Sequence, residues 1–401
     1  MSLPMEGYRI LELGAAIASP YATGLCGDLG AEVIKIETQR RPDNMRYAAG
    51  VDPAPNPLDG GLLFNGINRN KRGMTLDLLT PGGRELFLQM VRTADAVVEN
   101  FSAGTMDTFG LPYAVLRRER PDLIMISLSG FGATGPYKDC VAYGIVLEGL
   151  AGMLNVEGYE GDRPLETPFT YNDYISSMYG AHLLQSALYR RLSTGQGLYV
   201  DFAEAEVSLS LVPQGILAWL LHQESWRRDA NEDHFSLVRD TYPCRGDDAW
   251  VAINVTDGAQ WRGVCRAIGR TDLHTLADQG HAVQRKEAMD AAIAAWTRTR
   301  SPQEASEALQ ALGVPAGPAY TMDQTLQNPH VVERNVITKD ALHPYTKGRR
   351  VPEPPLRITG VPRDIRLPAP CWGQDNAYVV RDLLGHGDEE YDRLTKGKAL
   401  S

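Results

Sequence analysis

The sequence predicts an α/β fold: a Rossmann-like parallel sheet in a large domain, accompanied by a smaller α+β domain. Three observations predict it. Short apolar stretches of strand character alternate with helical stretches from the beginning of the chain. A strand, helix, strand succession implies parallel pairing through a right-handed crossover. After residue 224 the composition turns polar and charged before a hairpin pattern begins.

Taken in order, Tyr8 to Leu13 alternates as a strand does, Ala18 opens a helical stretch through Leu29, Gly30 ends it, and Glu32 to Glu37 is a second strand. Gly73 to Asp77 reads as a strand, Pro81 to Thr93 as a helix with proline in its first turn, and Asp95 to Glu99 as a buried strand. A helix over Tyr113 to Glu119 leads to the strand Leu123 to Ser129. From Asp173 to Leu192 the apolar residues Ile175, Met178, Tyr179, Leu184, Ala187 and Leu188 fall at helical spacing, and Gly195 and Gly197 stop the helix. Leu198 to Phe202 is a strand, followed by one long helix to about His222. Ser225 to His234 reads as a linker, Tyr242 to Val255 as a hairpin turning at Arg245 to Asp248, and Lys286 to Thr297 and Pro302 to Leu312 as helices. Beyond Arg349 the density of proline excludes a central strand, and a helix near Asp375 to Leu384 closes the pattern. The large domain is thus expected over 1–224 and 335–401, the small one over 225–334.

With 401 residues, two domains are the natural expectation. A net charge of −10 argues against a broad nucleic-acid surface, although Arg40 and Arg41 with Arg46, or Arg69, Lys71 and Arg72, suit a small polyanion. The five cysteines are odd in number and scattered without a CxxC pair, which suggests neither a disulfide framework nor a zinc site. The N-terminus lacks the pattern of a secretion signal, and no window approaches the roughly 18 apolar residues of a membrane span. A cytoplasmic protein with no metal, membrane or nucleic-acid partner is expected. The first turn, Gly14-Ala-Ala-Ile-Ala-Ser-Pro20, carries one glycine where dinucleotide enzymes place GxGxxG, and no P-loop occurs. NAD and ATP lose their main support.

Instead, Leu11 to Pro20 with Leu29 to Glu37 resembles the opening of the class III CoA-transferase family, which includes formyl-CoA transferase, carnitine CoA-transferase and the α-methylacyl-CoA racemases. Matches continue in order through Asn68 to Asp77, Ala94 to Phe101, Ser127 to Gly132 with Gly135 and Pro136, Tyr171 to Asp173, and Thr194 to Gly197. They resume weakly at Val314 to Pro318 and Gly373 to Asn376.

Asp173 matches the catalytic aspartate of that family. Read from the residues alone it is a helix N-cap; the two roles are compatible, because a helix N-terminus favours the ionised carboxylate. An unperturbed aspartate is ionised at neutral pH and needs positioning rather than a general base. The resemblance implies CoA transfer through an acyl-aspartyl anhydride and an aspartyl-CoA thioester. The CoA thioester is then a substrate, and no cofactor is permanently bound. Each step needs donors for a developing oxyanion, yet the glycine-rich loop that formyl-CoA transferase uses has no counterpart between Tyr242 and Asp257.

Tyr143 stands where racemases carry a histidine; as a poor base at neutral pH it favours transferase over racemase or epimerase. Lys71, Asn100 and Phe101 match positions lining the nucleotide and pantetheine, with Lys71 suited to a phosphate. Thr38 and Gln39 occupy the place of a family arginine, so Arg40 or Arg41 substitutes for it. Ile17, beside Ala18, replaces a glutamine, and Val141 replaces a lysine, both polar in formyl-CoA transferase. Their loss implies an acid larger or more apolar than formate or oxalate, with succinyl-CoA or a related thioester as donor. The segment from Tyr242 to Asp248 looks like that of benzylsuccinate CoA-transferase subunits, which keeps a heterodimer with a related subunit open. Otherwise the resemblance implies a homodimer of interlocked, ring-like chains.

Overall fold

Residues Arg9–Glu12 (β1), Glu32–Glu37 (β2), Lys71–Thr75 (β3), Ala96–Glu99 (β4), Ile124–Ser129 (β5) and Leu198–Ala203 (β6) form a parallel sheet in the order β3-β2-β1-β4-β5-β6. The computed structural model describes residues 2–48, 50–166, 168–231, 235–278, 283–339, 342–346, 348–355 and 357–400. The chain divides into two units, one of Met1–Leu154, Glu166–Glu224 and Arg334–Ser401, the other of Asn155–Leu165 and Ser225–Glu333.

In the first unit the helices that matter are α1 (Ala18–Asp28), α2 (Pro81–Thr93), α3 (Tyr113–Glu119), α4 (Gly144–Leu150), α5 (Tyr171–Thr194), α6 (Glu204–Ser210) and α7 (Pro213–His222). Parallel strands need crossovers, so helices cover both faces and the strands β1 to β5 are largely buried. Side chains alternate between the faces. Ile10, Ala96, Val98, Ile124 and Ile126 pack with Ala22 and Cys26 of α1 and Ala181, Leu184 and Leu188 of α5. Leu11, Ile34, Val97 and Met125 pack with Phe87 and Met90 of α2 and Leu116 of α3. Gly180 permits the close seating of α5: a Cβ there would lie 3.1 Å from Leu128 and 3.4 Å from Ala22. The strand order reverses between β1 and β4, and the loops leaving their carboxyl ends flank the crevice where such sheets place ligands.

Three expectations need correction. The helix expected to run unbroken to His222 is two helices, α6 and α7. Pro213 lacks an N–H and forces Val212 out of the helical region, to φ −119° and ψ 44°. Helix α5 begins at Tyr171, and its N-cap is Thr170, so Asp173 lies in the first turn rather than at the cap. Near the C-terminus, Tyr378–Leu383 is a π-helical turn, and a further helix, Asp388–Lys396, follows with Leu394 buried in the sheet's core.

The second unit holds the antiparallel strands Val238–Pro243 (β7), Trp250–Val255 (β8) and Ala316–Pro318 (β9), in the order β7-β8-β9. Val251, Ile253 and Val255 of β8 are buried and alternate with exposed neighbours, as a one-sided sheet requires. They pack with Trp261 and Val264 of α8 (Gly258–Ile268), Met289 and Ile293 of α9 (Val283–Thr297) and Leu309 of α10 (Pro302–Gln310). Asp257 caps α8, and a Ser301–Glu304 capping box opens α10. Of the expected linker Ser225 to His234, residues 232–234 lie outside the described residues. Among the described residues no helix is long and apolar enough to cross a membrane, and no group of His, Cys, Asp and Glu is placed to hold a metal ion.

Candidate active site

The loop leaving β1 is held by Asn100, the first residue after β4. Its Oδ1 accepts the Ala15 N–H at 2.9 Å, and its Nδ2 donates to the Ala15 carbonyl at 2.8 Å. Asp43 Oδ1 accepts the next N–H, that of Ala16, at 3.1 Å. Ala16 itself has φ 62°, a conformation that an alanine adopts only where its surroundings impose it. These bonds fix where α1 begins, with Ile17 as its N-cap and Ala18 as its first residue, both buried.

Helix α5 delivers Asp173 to the same end of the sheet. The Asp173 carbonyl accepts the Ser177 hydroxyl at 2.7 Å, and that hydroxyl also reaches the Ile17 carbonyl at 3.5 Å. The rings of Tyr21 on α1 and Tyr174 on α5 meet edge to face at 5.3 Å. From the other side comes α4, N-capped by Tyr143, whose side chain is 62% exposed. A Cβ on Gly144 would stand 3.3 Å from Asp173 Oδ1 and 2.7 Å from Thr170, so only glycine lets α4 approach so closely. Ile17, at the start of α1, and Gly144, next to Tyr143, thus lie beside the first turns of α5, with Asn100 bracing the loop that carries Ile17 and Ala18.

The carboxyl of Asp173 is half-buried. Burial lifts it above the usual carboxylate range, against the hydrogen bonds from Thr170 and Glu204 that favour the anion. The Thr170 hydroxyl is 3.1 Å from Oδ2. Glu204, the first residue of α6, is pushed well above its ordinary value by its own burial and then by the negative charge of Asp173. Glu148 of α4 is raised by burial too, with Asp173 adding to the effect while the Asn172 N–H opposes it. The expectation of an unperturbed aspartate is therefore corrected: the site removes solvation from Asp173 and supplies hydrogen bonds in its place.

Other expected contacts fare differently. Lys71, assigned to a phosphate, is 2% exposed, and its Nζ donates to Glu12 Oε2 at 2.7 Å, the Pro20 carbonyl at 2.6 Å and Asn68 Oδ1 at 2.8 Å. All three N–H bonds are directed into the protein, because β3 points this side chain between the sheet and α1. Burial pushes Lys71 down to about 8, and Lys35, which shares Glu12, pushes the same way. Arg40 is exposed but bonded to Asp77 Oδ2 at 2.6 Å. Arg41 is exposed, with no ion pair among the described residues. Phe101 meets Phe109 edge to face at 5.8 Å and borders a cavity of about 270 Å³, which Glu99, Asp107, Tyr113, Ser127 and Tyr199 also line.

Thr170, Glu148 and Glu204 were not anticipated. Glu204 follows an apolar strand with no local pattern to single it out. Its importance comes from the packing of α6 on α5, which periodicity does not reveal.

Both the sequence and the fold of this chain have known relatives. The sequence profile of CoA-transferase family III matches residues 5–376. A probable CoA-transferase of Mycobacterium tuberculosis is 33% identical over 99% of this chain, which spans half the length of that relative. The succinyl-CoA–D-citramalate CoA-transferase of Chloroflexus aurantiacus is 31% identical over 99% of this chain and 98% of its own. The crystal structure of a CAIB/BAIF family protein from Brucella suis superposes with a TM-score of 0.84 at 26% identity, covering 96% of this chain and all of that one. The chain belongs to CoA-transferase family III, and by that membership it is an enzyme of the class III CoA-transferase type.

Proposed function

We propose that the chain moves coenzyme A from an acyl-CoA donor, succinyl-CoA or a related thioester, to a carboxylic acid acceptor, with Asp173 as the nucleophile. The observation that carries this is the placement of Asp173. Its carboxylate sits in the first turn of α5, half-buried, hydrogen-bonded by Thr170, and without a salt-bridge partner among the described residues. A carboxylate so held is oriented for attack and poorly solvated, which raises its reactivity toward a thioester carbonyl.

Asp173 attacks the donor's carbonyl carbon, the C–S bond breaks, and CoA leaves as a thiolate with an acyl-aspartyl anhydride behind it. The thiolate attacks the aspartyl carbonyl of the anhydride, releases the donor acid and forms an aspartyl-CoA thioester. The acceptor carboxylate attacks that thioester, giving a second anhydride and CoA thiolate. The thiolate takes the acceptor's acyl group and regenerates Asp173. Each anhydride requires exclusion of water.

For CoA itself the loop Gly14–Ile17, Asn100 and Phe101 provide the bed, and the cavity beside Phe101 provides room. Arg41 is the phosphate partner in this reading, since Arg40 is held by Asp77 and Lys71 is enclosed. Ile17 and Tyr143 border the acyl group. Their character supports a mid-sized acid, as does the succinyl-CoA named for the Chloroflexus relative. A racemase reading is disfavoured because Tyr143, a poor base at neutral pH, stands where that reading needs a histidine.

The active unit of this reading is a cytoplasmic homodimer. Helix α7 supports it: none of its residues is buried, and Leu217, Trp219, Leu220 and Leu221 are each more than half exposed. An uncovered apolar helix of this kind marks an interface. Light scattering at micromolar concentration should return twice the chain mass; a monomer would count against it.

The decisive test of the chemistry is transfer of CoA from succinyl-CoA to a panel of dicarboxylic acids by the parent chain and by Asp173→Ala. Loss of about 10³-fold or more in the variant supports the reading; transfer at the parent rate refutes it.

A further inference from the structure

Glu204 is 6% exposed, and its carboxyl lies within interaction range of that of Asp173. Its Oε2 is buried with no donor of its own within reach. An ionised carboxyl only accepts hydrogen bonds, so two carboxyls can bond each other only if one of them holds a proton. Neither carboxyl has a salt-bridge partner among the described residues, so no cation relieves the pair.

The position is built, not incidental. Ser208, one turn further along α6, donates to Asn172 Oδ1 at 2.7 Å and to the Glu204 carbonyl at 3.2 Å. That bond ties α6 to the residue immediately before Asp173. The N–H of Ala205 donates to the Gly130 carbonyl at 3.0 Å, which fixes the start of α6 against the loop after β5. Glu204 is therefore held against Asp173 by the backbone on either side of it.

We propose that Glu204 is a positioning residue for the nucleophile: it remains the neutral acid, and its O–H holds the Asp173 carboxylate in the attitude of attack while the pair carries a single negative charge. The proton belongs on Glu204 because it is the more deeply buried of the two, whereas Asp173 already has the Thr170 hydroxyl and the first turn of α5 to favour its anion. The other titratable groups around the pair are Glu148 of α4 and Tyr174 of α5, each pushed up by burial first and also by Asp173. Glu206 of α6 is exposed. All of these are acids, so the single proton is what keeps the pair from carrying two charges. A second negative charge there would repel an acidic substrate and oppose the oxyanion that forms on attack.

The inference rests on Asp173 being the nucleophile, and the experiment separates the two claims. Full-length protein is mixed with succinyl-CoA, and the rate of CoA adduct formation is followed by intact mass from the acid to the alkaline side of neutrality. The parent should lose rate on the alkaline side as the pair gives up its proton. Glu204→Gln keeps a donor but has nothing to ionise; it should react about threefold to tenfold more slowly at neutral pH and lose that alkaline limb. Glu204→Leu, which fills the space without a donor, should react about 100-fold more slowly with little change in the KM for succinyl-CoA. An alkaline limb in Glu204→Gln matching the parent's, or a parent rate in Glu204→Leu, overturns the proposal while leaving Asp173 as nucleophile. An adduct formed by Asp173→Ala would instead remove the nucleophile assignment, and this inference with it.

Discussion

The side-chain amide of Asn100 closes a two-bond clasp on the backbone of Ala15, accepting its N–H at 2.9 Å and donating to its carbonyl at 2.8 Å. Through it the strand β4 controls the shape of the loop that opens α1. Asn100→Ala removes both bonds and releases Ala16 from its left-handed conformation. It should lower stability by about 1–3 kcal/mol in chemical denaturation and raise the KM for the CoA thioester more than it lowers kcat.

Gly144 and Asp173 make the complementary case, in which the absence of a side chain matters. A methyl group on Gly144 would meet Thr170 at 2.7 Å and Asp173 Oδ1 at 3.3 Å. Gly144→Ala should displace the carboxylate by a fraction of an ångström and lower kcat about 10- to 100-fold, with thermal unfolding altered far less. Steady-state kinetics on the folded variant checks this.

Lys71 separates structural from ligand-binding cations. With Glu12 and Lys35 it forms an enclosed network, and removing one partner leaves buried charge uncompensated. Lys71→Met should destabilise the protein by about 3–5 kcal/mol and leave the KM for the CoA thioester near the parent value. A phosphate ligand would give the opposite result, a large rise in KM in a protein of nearly normal stability.

Glu99 ends β4, accepting the Phe101 N–H at 2.7 Å and the Ser127 hydroxyl. Burial raises its carboxyl from 4.5 to about 7, against those two bonds. The folded state therefore holds a proton that the unfolded chain releases earlier. Its stabilising contribution is full below about pH 4.5 and is lost as pH rises through about 7. Glu99→Gln, which cannot ionise, should flatten the stability profile across that window. Above it the variant should be the more stable by on the order of 3 kcal/mol, as measured by denaturation at a series of pH values.

Much of this architecture is readable from the chain because it is local. The parallel strands announce themselves as short apolar runs such as Ile124 to Leu128, and Pro81 marks the first turn of α2. The motifs single out Asp173, Asn100 and Ile17 as candidates. What escaped the sequence depends on contacts between distant segments. Nothing near Glu204 shows that α6 folds back on α5, and nothing near Lys71 shows that Glu12 and Asn68 enclose it. The break at Pro213 was locally visible, and the apolar residues on both sides concealed it.

Transfer by this route requires a covalent bond at one side chain. The protein should be incubated with succinyl-CoA, digested under mildly acidic conditions and sequenced by tandem mass spectrometry. A CoA thioester on Asp173, discharged by adding an acceptor acid and missing in Asp173→Ala, is the predicted result. Turnover with no adduct on that residue, or an adduct that persists in Asp173→Ala, would contradict it.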